Sequence, residues 1–539
     1  MNYGFIIDNR RCIGCHACTV ACKSEHDVPI GVNRTWVKYV EKGEFPHTRR
    51  LFSVMRCNHC AQAPCVEICP TSALYTRSDG IVDFDSRRCI ACKACMQACP
   101  YDALFIDPET HTAQKCNYCA HRTEVGLEPS CVVVCPEQAI IAGDLDNPAA
   151  EISMLFAREQ VTARKPEKGT EPKLFYIEGD KAALTPAAAL PSEAYLWSSQ
   201  AAGVGHFAAA AEGRPQTGAG DWLRDQSGEP QVLAPEQSNA PDMLQKAHQV
   251  LEEQARRVYD APGEGIVWGW EVAAYIWTKA ISAGLFLVPF LALTFGLAPV
   301  PEPHHWVGIL GGLFFLTLTA GLLIKDLDQP KRFAYVLLRP NWSSWLVRGS
   351  YALTGYGVLL TALAVTKYSG HTTTLPFLSR ACATAATVSA VYTAFLLAQS
   401  KGRDFWQSPV LPLHMVVHAL LAGAATLSIA GTLLHQSIAW NGFLRTVLLF
   451  GTGANLLVIA TDLLMPHATE DGRRTVTLIT KEKFRSLFWL GVLLAGNVIP
   501  ILVIAFAATD LMWPGVLILF GIFCTEHIWI KAPQMIPLS

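Results

Sequence analysis

Beyond residue 267 the hydrophobic and polar positions sort into long apolar runs divided by short polar loops, whereas before it apolar residues cluster briefly around cysteines. A helix needs about 20 apolar residues to cross the hydrocarbon core of a bilayer. Eight runs reach that length, near 268–297, 304–324, 344–366, 376–398, 410–434, 443–465, 486–508 and 511–530. They predict an all-α eight-transmembrane-helix bundle over 266–531, followed by a short tail, 532–539. The even count brings both ends of the bundle to one side. Upstream, 146–265 is rich in Ala, Gly, Pro, Gln and Glu, as in AALTPAAALP and GRPQTGAGDW, without strong strand alternation. Its periodic stretch, from about Pro241 to Tyr259 with Leu244, Ala247, Leu251 and Ala255 on one face, predicts one amphipathic helix. The segment carries no nucleophile–base or nucleotide motif, so it reads as a covalent tether that packs over the cysteine-rich part.

Charge decides sidedness. Arg256, Arg257, Lys325, Lys331, Arg332, Arg339, Arg348, Lys401, Arg403, Arg473, Arg474, Lys481, Lys483, Arg485 and Lys531 fall on the side of the N-terminal part, and only Lys367, Arg380 and Arg445 on the other. Fifteen against three is a positive-inside bias. The expected location is the cell inner membrane, multi-pass, with the N-terminal domain on the cytoplasmic side. The opening MNYGFIIDNRRC is too short and polar for a secretory core, and Arg10-Arg11 precedes cysteines rather than an apolar stretch. A net charge of -2 gives no basic character, so nucleic acid is not an expected partner.

Sixteen of the 18 cysteines lie before residue 136, in four groups. Cys12, Cys15, Cys18 and Cys22 follow C-x2-C-x2-C-x3-C; Cys57, Cys60, Cys65 and Cys69 follow C-x2-C-x4-C-x3-C-P. Cys89, Cys92, Cys95 and Cys99 repeat C-x2-C-x2-C-x3-C-P, and Cys116, Cys119, Cys131 and Cys135 follow C-x2-C-x11-C-x3-C-P. A cubane cluster takes four thiolates. A tight loop points three at one cluster, and the fourth, usually before proline, reaches a paired cluster. Four [4Fe–4S] clusters use the sixteen with none left over. Zinc ribbons share C-x2-C but lack the compact third and fourth cysteines.

The order and spacing of these groups resemble the four-cluster, ferredoxin-like electron-transfer subunits of complex iron–sulfur molybdoenzymes, such as dimethyl sulfoxide and polysulfide reductases. The resemblance covers about residues 1–185, with FYIEGD near its end, and implies an α+β ferredoxin-like poly-[4Fe–4S] domain, placed here at 1–145. It implies that the outer groups pair with each other and the inner groups likewise. One cluster then takes Cys12, Cys15, Cys18 and Cys135, and its mate Cys116, Cys119, Cys131 and Cys22. A third takes Cys89, Cys92, Cys95 and Cys69, and a fourth Cys57, Cys60, Cys65 and Cys99, which the resemblance sets closest to the membrane. Some relatives replace one cysteine of the third group and hold a three-iron cluster; here Cys92 is present.

Trp268-x-Trp270 at the first span, DLDQPKRF after the second, and Tyr392 placed 14 residues before Trp406 give the membrane part its own resemblance. It is similar to the NrfD-like anchor of polysulfide reductase, an eight-helix quinone-binding subunit, and this implies that Tyr392 contacts menaquinone or ubiquinone. Many such anchors carry the cluster domain outside the cytoplasm, the inverse of the charge bias found here. Polar residues are costly in a membrane and need a reason. Glu271, Tyr275, Asp326, Asp328, Tyr392, His414, His418, Asp462 and His467 gather toward the cytoplasmic ends of the spans. A quinone needs hydrogen-bond donors and protons there, which makes Tyr392, Asp326, Glu271 and His414 the candidates for quinone and proton transfer. His414 and His418 share one helical face, and His435 and His527 lie in other spans at unmatched depths, so haem is not expected. Lys279, midway through the first span, is expected to pair with Glu271, Tyr275 or Glu526. Cys382 and Cys524 lie in apolar spans as packing thiols.

No molybdopterin, flavin or nickel site is visible, so substrate chemistry falls to a partner. The expected role is that of an electron-transfer and quinone-reactive subunit of a membrane-bound oxidoreductase. Its partners would be a catalytic molybdopterin or tungstopterin subunit, membrane lipid and quinone. Two rivals use the same parts: the electron-transfer subunit of a hydrogenase large subunit, and a redox-driven proton or sodium translocator with a path through Lys279, Glu271, Asp462 and Glu526. A polar chain reaching the far face would favour translocation; a polar pocket at one face would favour quinone chemistry alone.

Overall fold

The computed structural model describes residues 1–43, 47–186, 190–191, 255–261, 265–371, 373–434, 437–467, 469–506 and 511–539. Two four-stranded sheets frame the N-terminal part. In the first, Tyr3–Asp8 lies between antiparallel Ile140–Asp144 and parallel Leu174–Ile177, with Val161–Ala163 at the edge. Phe5, Ile6 and Ile7 are all buried. A central strand covered on both faces reads as a continuous apolar run rather than an alternating one. In the second sheet, Thr35–Lys42 pairs antiparallel with Arg49–Arg56 on one side and with Arg256–Tyr259 on the other.

That last pairing corrects the expected helix over Pro241–Tyr259. Residues 241–254 lie outside the described residues, and 256–259 are a strand. The strand wins because its side chains find partners across the sheet. Arg256 pairs with Glu41 at 2.6 Å, and the Tyr259 ring sits 5.3 Å from Tyr39 and 4.9 Å from His16. The segment after 145 likewise supplies strands, at Val161–Ala163 and Leu174–Ile177, to the sheet that holds Tyr3–Asp8.

Among the described residues, eight helices are long and apolar enough to cross a membrane: Trp270–Thr294, Glu302–Lys325, Trp345–Tyr368, Leu375–Gln399, Leu411–Leu433, Ile438–Leu464, Leu487–Phe506 and Met512–Gln534. The first is central and packs on the second, fourth, fifth and eighth. Its approach to the fifth is set by Gly284, where a Cβ would collide with the Ala419 carbonyl and Gly423. Small residues at such crossings let backbones close up where no hydrophobic force drives association. The second and seventh spans contain π-helical stretches, Val307–Gly311 and Leu487–Val498.

The N-terminal part packs against one end of the bundle, the end bearing most of the basic residues. Arg332 of DLDQPKRF donates to the carbonyls of Ser86 and Cys89 at 2.8 and 3.0 Å. Asn341 donates to the Cys69 carbonyl at 2.8 Å, and Ser344 to that of Ile68 at 2.7 Å. At Gly402 a Cβ would stand 2.6 Å from the Gln97 carbonyl oxygen and 2.8 Å from that of Cys99. The C-terminal end closes the joint: Gln534 bonds Gln97, and the Leu538 carbonyl accepts from Arg164.

Candidate functional site

Each cysteine group is wound by residues in the left-handed region. His16, His59, Ala91, Lys93, Tyr118 and Cys119 all have φ between 43° and 63°. That conformation costs roughly 1–2 kcal/mol for a residue with a Cβ, and here it turns successive sulfurs toward a common centre. Cys12, Cys15, Cys18 and Cys135 line one cavity; Cys69, Cys89, Cys92 and Cys95 line another. Cys22 lies in the field of Cys116, Cys119 and Cys131, and Cys65 in that of Cys57, Cys60 and Cys99. All sixteen are free of disulfides. Burial pushes the Cys18 and Cys119 thiols up to about 11, so without a metal they keep their protons. Backbone N–H groups already point at the sulfurs, Ala139 at Cys135 across 3.2 Å and Ala91 and Ala113 at Cys89 across 3.4 Å. Buried cysteines brought together in fours under N–H donors suit iron–sulfur clusters, whose potentials such bonds help to set.

The four groups form a line. Cys18 neighbours Cys131, Cys57 neighbours Cys116, and Cys95 neighbours Cys65. The set nearest the membrane is Cys69, Cys89, Cys92 and Cys95, not the expected Cys57, Cys60, Cys65 and Cys99. The reason is the docking just described. Arg332 caps the loop at Cys89, Lys93 pairs with Asp328 at 3.0 Å, and Trp268 Nε1 donates to the Cys92 carbonyl at 3.1 Å. Lys93 went unrecognised in the sequence; a cation inside a cysteine loop facing an acidic motif two hundred residues away leaves no local signal.

Cys92 also lines a largely apolar pocket at the membrane face with Trp268, Tyr275, Asp326, Ser350 and Tyr392. Two of the four quinone and proton candidates, Tyr392 and Asp326, therefore meet in one place. Gly349 of the third span makes room for Tyr392, because a Cβ there would collide with the ring. Burial pushes the Asp326 carboxyl up to about 7, against the opposing pull of Lys93. Glu271 does not line this pocket. It turns to Lys325 at 3.6 Å, and Lys325 stacks over Trp270.

Lys279 makes no hydrogen bond or ion pair with Glu271 or Tyr275, and it meets Glu526 only through the field of that carboxylate, without an ion pair within 4.0 Å. Its Nζ donates to the Ala390 carbonyl at 3.0 Å and to Thr393 Oγ1, and lies 4.5 Å from the Tyr392 ring centroid. The fourth span thus solvates the charge with oxygens and a π face. His414 also lies away from the pocket, in a second cluster with His418, Asp462 and Glu526. From there hydrogen bonds run through Asn455 to Asn497 and end on the Val492 carbonyl. His467 packs beside Phe405 and Gly472, and His435 lies outside the described residues.

Comparison with known proteins fits this arrangement. Residues 260–537 match the family model described as polysulphide reductase, NrfD, and residues 11–74 and 48–145 match models of 4Fe-4S dicluster domains. A tetrathionate reductase subunit of Salmonella typhimurium is 45% identical over 188 residues, 34% of this chain and 75% of the relative. A polysulfide reductase chain of Wolinella succinogenes is 41% identical over 180 residues, 32% of this chain and 93% of the relative. A putative dimethyl sulfoxide reductase iron-sulfur subunit of Halobacterium salinarum is 39% identical over 209 residues, 33% of this chain and 80% of the relative. The protein is thus a multi-pass membrane iron–sulfur electron-transfer subunit, and it belongs to the polysulphide reductase NrfD family, carrying ferredoxin-like 4Fe-4S dicluster domains on the same polypeptide.

Proposed function

We propose that this protein passes electrons between a separate catalytic subunit and the membrane quinone pool through four [4Fe–4S] clusters. The observation that carries this is Cys92, which belongs to the innermost cysteine set and also lines the pocket of Tyr392 and Asp326. An electron acceptor in that pocket would lie against the last cluster with no protein element between them. The ligand sets are Cys12, Cys15, Cys18 and Cys135; Cys22, Cys116, Cys119 and Cys131; Cys57, Cys60, Cys65 and Cys99; and Cys69, Cys89, Cys92 and Cys95. Quinone, when bound, takes up two electrons and two protons, or releases them in the reverse direction. Tyr392 supplies a phenol held by Gly349, and Asp326 a carboxyl able to hold or release a proton near neutrality. Apolar walls from Trp268, Val272 and Leu396 exclude water from the rest.

The other end of the line is open. Cys15 is exposed, Ile13 in the same cavity lining is 55% exposed, and Val20 and Val133, on the two helices that carry Cys18 and Cys131, are 65% and 58% exposed. Apolar side chains beside an electron-carrying centre suit the docking of a partner. The relatives' names, subunits of tetrathionate, polysulfide and dimethyl sulfoxide reductases, support a catalytic reductase subunit there, in this proposal a molybdopterin or tungstopterin enzyme. The basic loops on the cluster side support a cytoplasmic location of that domain in the inner membrane.

The hydrogen-bonded chain from Glu526 through His418, Asn455 and Asn497 stops at the Val492 carbonyl, inside the seventh span. A chain of that extent favours proton exchange with the cluster-facing side over translocation across the membrane. The deciding experiment mixes the dithionite-reduced full-length protein with a water-soluble menaquinone analogue. Reoxidation of the clusters within the mixing experiment supports the proposal; clusters that stay reduced until an artificial dye is added overturn it.

A further inference from the structure

The hydrogen bonds around His418 have a fixed polarity, and it begins at a carbonyl. The Val492 carbonyl can only accept, so the Asn497 atom 2.7 Å from it is Nδ2. Asn497 Oδ1 then faces Asn455, whose Nδ2 donates to it at 2.9 Å. Asn455 Oδ1 is left facing His418 Nε2 at 2.9 Å and can only accept, so Nε2 carries the ring proton. In the neutral ring His418 Nδ1 is therefore a bare lone pair. It points at Glu526 Oε1 from 2.6 Å, two acceptors face to face. Something positive belongs between them.

His414 completes the arrangement. Its ring is fully buried, and neither nitrogen makes a hydrogen bond of acceptable geometry. Nε2 faces Glu526 Oε1 at 3.7 Å, while Nδ1 faces Asp462 Oδ2 at 3.5 Å. Asp462 is itself held by Ser408 Oγ at 2.7 Å and Trp529 Nε1 at 3.3 Å. Each histidine thus has one nitrogen toward Glu526 and the other toward an oxygen acceptor, Asp462 for one and Asn455 for the other. Metal-binding histidines are oriented in this way, by a carboxylate or carbonyl on the nitrogen that does not ligate.

We propose that His414 Nε2, His418 Nδ1 and Glu526 bind a divalent transition metal ion inside the membrane bundle, with zinc as the probe. Their ligating atoms lie within 4.8 Å of one another, all on buried side chains. Among the described residues, Glu526 and Asp462 make no ion pair with Lys or Arg within 4.0 Å, and Lys279 acts on Glu526 only through its more distant field, so two buried carboxylates face the two imidazoles. A divalent ion cancels that charge. Coordination at about 2.0–2.1 Å in a tetrahedral site would set His418 Nδ1 and Glu526 Oε1 about 3.3 Å apart. The ion ties the fifth and eighth spans together directly, and reaches the sixth through Asn455 and Asp462.

The test uses the purified full-length protein with its clusters intact, equilibrated with zinc sulfate, desalted and analysed for metal. The expected result is about one zinc per chain, lost in Glu526→Gln and His418→Ala, with nitrogen and oxygen neighbours alone at the zinc absorption edge. Asn455→Leu leaves all ligands in place and should weaken zinc binding about 10–100-fold, which keeps the test decisive if the ligand variants fail to assemble. Unchanged cluster EPR spectra certify each variant. No retained zinc in the wild-type protein, the outcome if a proton alone bridges Glu526 and His418, overturns the proposal. So does equal zinc in wild type and Glu526→Gln, or sulfur neighbours near about 2.3 Å, which would place the zinc on the cysteines.

Discussion

Trp268 Nε1 donates to the backbone carbonyl of Cys92 across 3.1 Å, joining the start of the first membrane span to the innermost cysteine loop. The same tryptophan stacks on Trp406 at 5.6 Å and bonds through its backbone to Gln534, so the first, fourth-to-fifth and eighth elements of the bundle meet beneath one cysteine. The contact sets where the pocket lies relative to the innermost cysteine set. Trp268→Phe keeps the apolar bulk and removes the donor, a loss of about 0.5–1.5 kcal/mol for a neutral hydrogen bond. Quinone-driven reoxidation of the clusters should slow several-fold while dye-driven reoxidation keeps its rate. Equal slowing of both would show that the bond holds the domain together rather than aligning the pocket.

Tyr392→Phe should weaken quinone affinity several-fold by the same loss of one hydrogen bond. Gly349→Ala should do more, because a Cβ there collides with the ring and drives it from the pocket. Steady-state kinetics with a quinone analogue separate the two: a raised KM for Tyr392→Phe, and both a raised KM and a lowered kcat for Gly349→Ala. Wild-type kinetics in both variants would move the quinone site elsewhere.

Asp326 brings a pH dependence of defined sign. Burial holds its carboxyl at about 7 rather than 3.8, so between those values the folded protein keeps a proton that the unfolded chain has lost. Its contribution to stability therefore falls as pH rises through that window and is level above it. For function, the protonated carboxyl is the form that can donate to reduced quinone, and quinone reduction should decline as pH passes about 7. Asp326→Asn should lower the rate and flatten this decline. A wild-type pH profile in the variant would remove Asp326 from the proton path.

Four ligand sets of four cysteines require about sixteen iron atoms per chain. Colorimetric iron and sulfide analysis of anaerobically purified protein measures this. Cys95→Ser should alter one EPR signal and slow quinone-linked turnover most, since its set lies against the pocket. A stoichiometry near eight in fully loaded protein would contradict the assignment.

Protease added to inverted membrane vesicles should cut the cluster domain, and protease added to intact spheroplasts should spare it. The fifteen-to-three charge bias carries this expectation. The opposite pattern would mean that export with a partner overrides the loop charges.

Much of this protein is written in local signals. Three cysteines within seven residues, wound by left-handed turns at His16 or Ala91, form three of the four ligands of a cluster site without help from distant chain. Eight apolar runs become eight spans because bilayer thickness sets their length, whatever they pack against.

The tertiary structure decided what depends on contacts between distant segments, which have no period to read. Helical spacing in 241–259 gave no hint that Arg256–Tyr259 would find an open sheet edge at Thr35–Lys42. Which cysteine set abuts the membrane followed from Lys93 meeting Asp328 and Arg332 meeting Cys89, pairs more than 230 residues apart. The sequence marked Lys279, His414 and Glu526 as costly in a membrane, but their partners were fixed by helix packing. Close crossings such as Gly284 against Gly423 bring the first, fifth and eighth spans into one core. Only then does a buried charge meet whichever oxygen, ring or imidazole the neighbouring span presents at its depth, which for Lys279 is Thr393 and for Glu526 is His418.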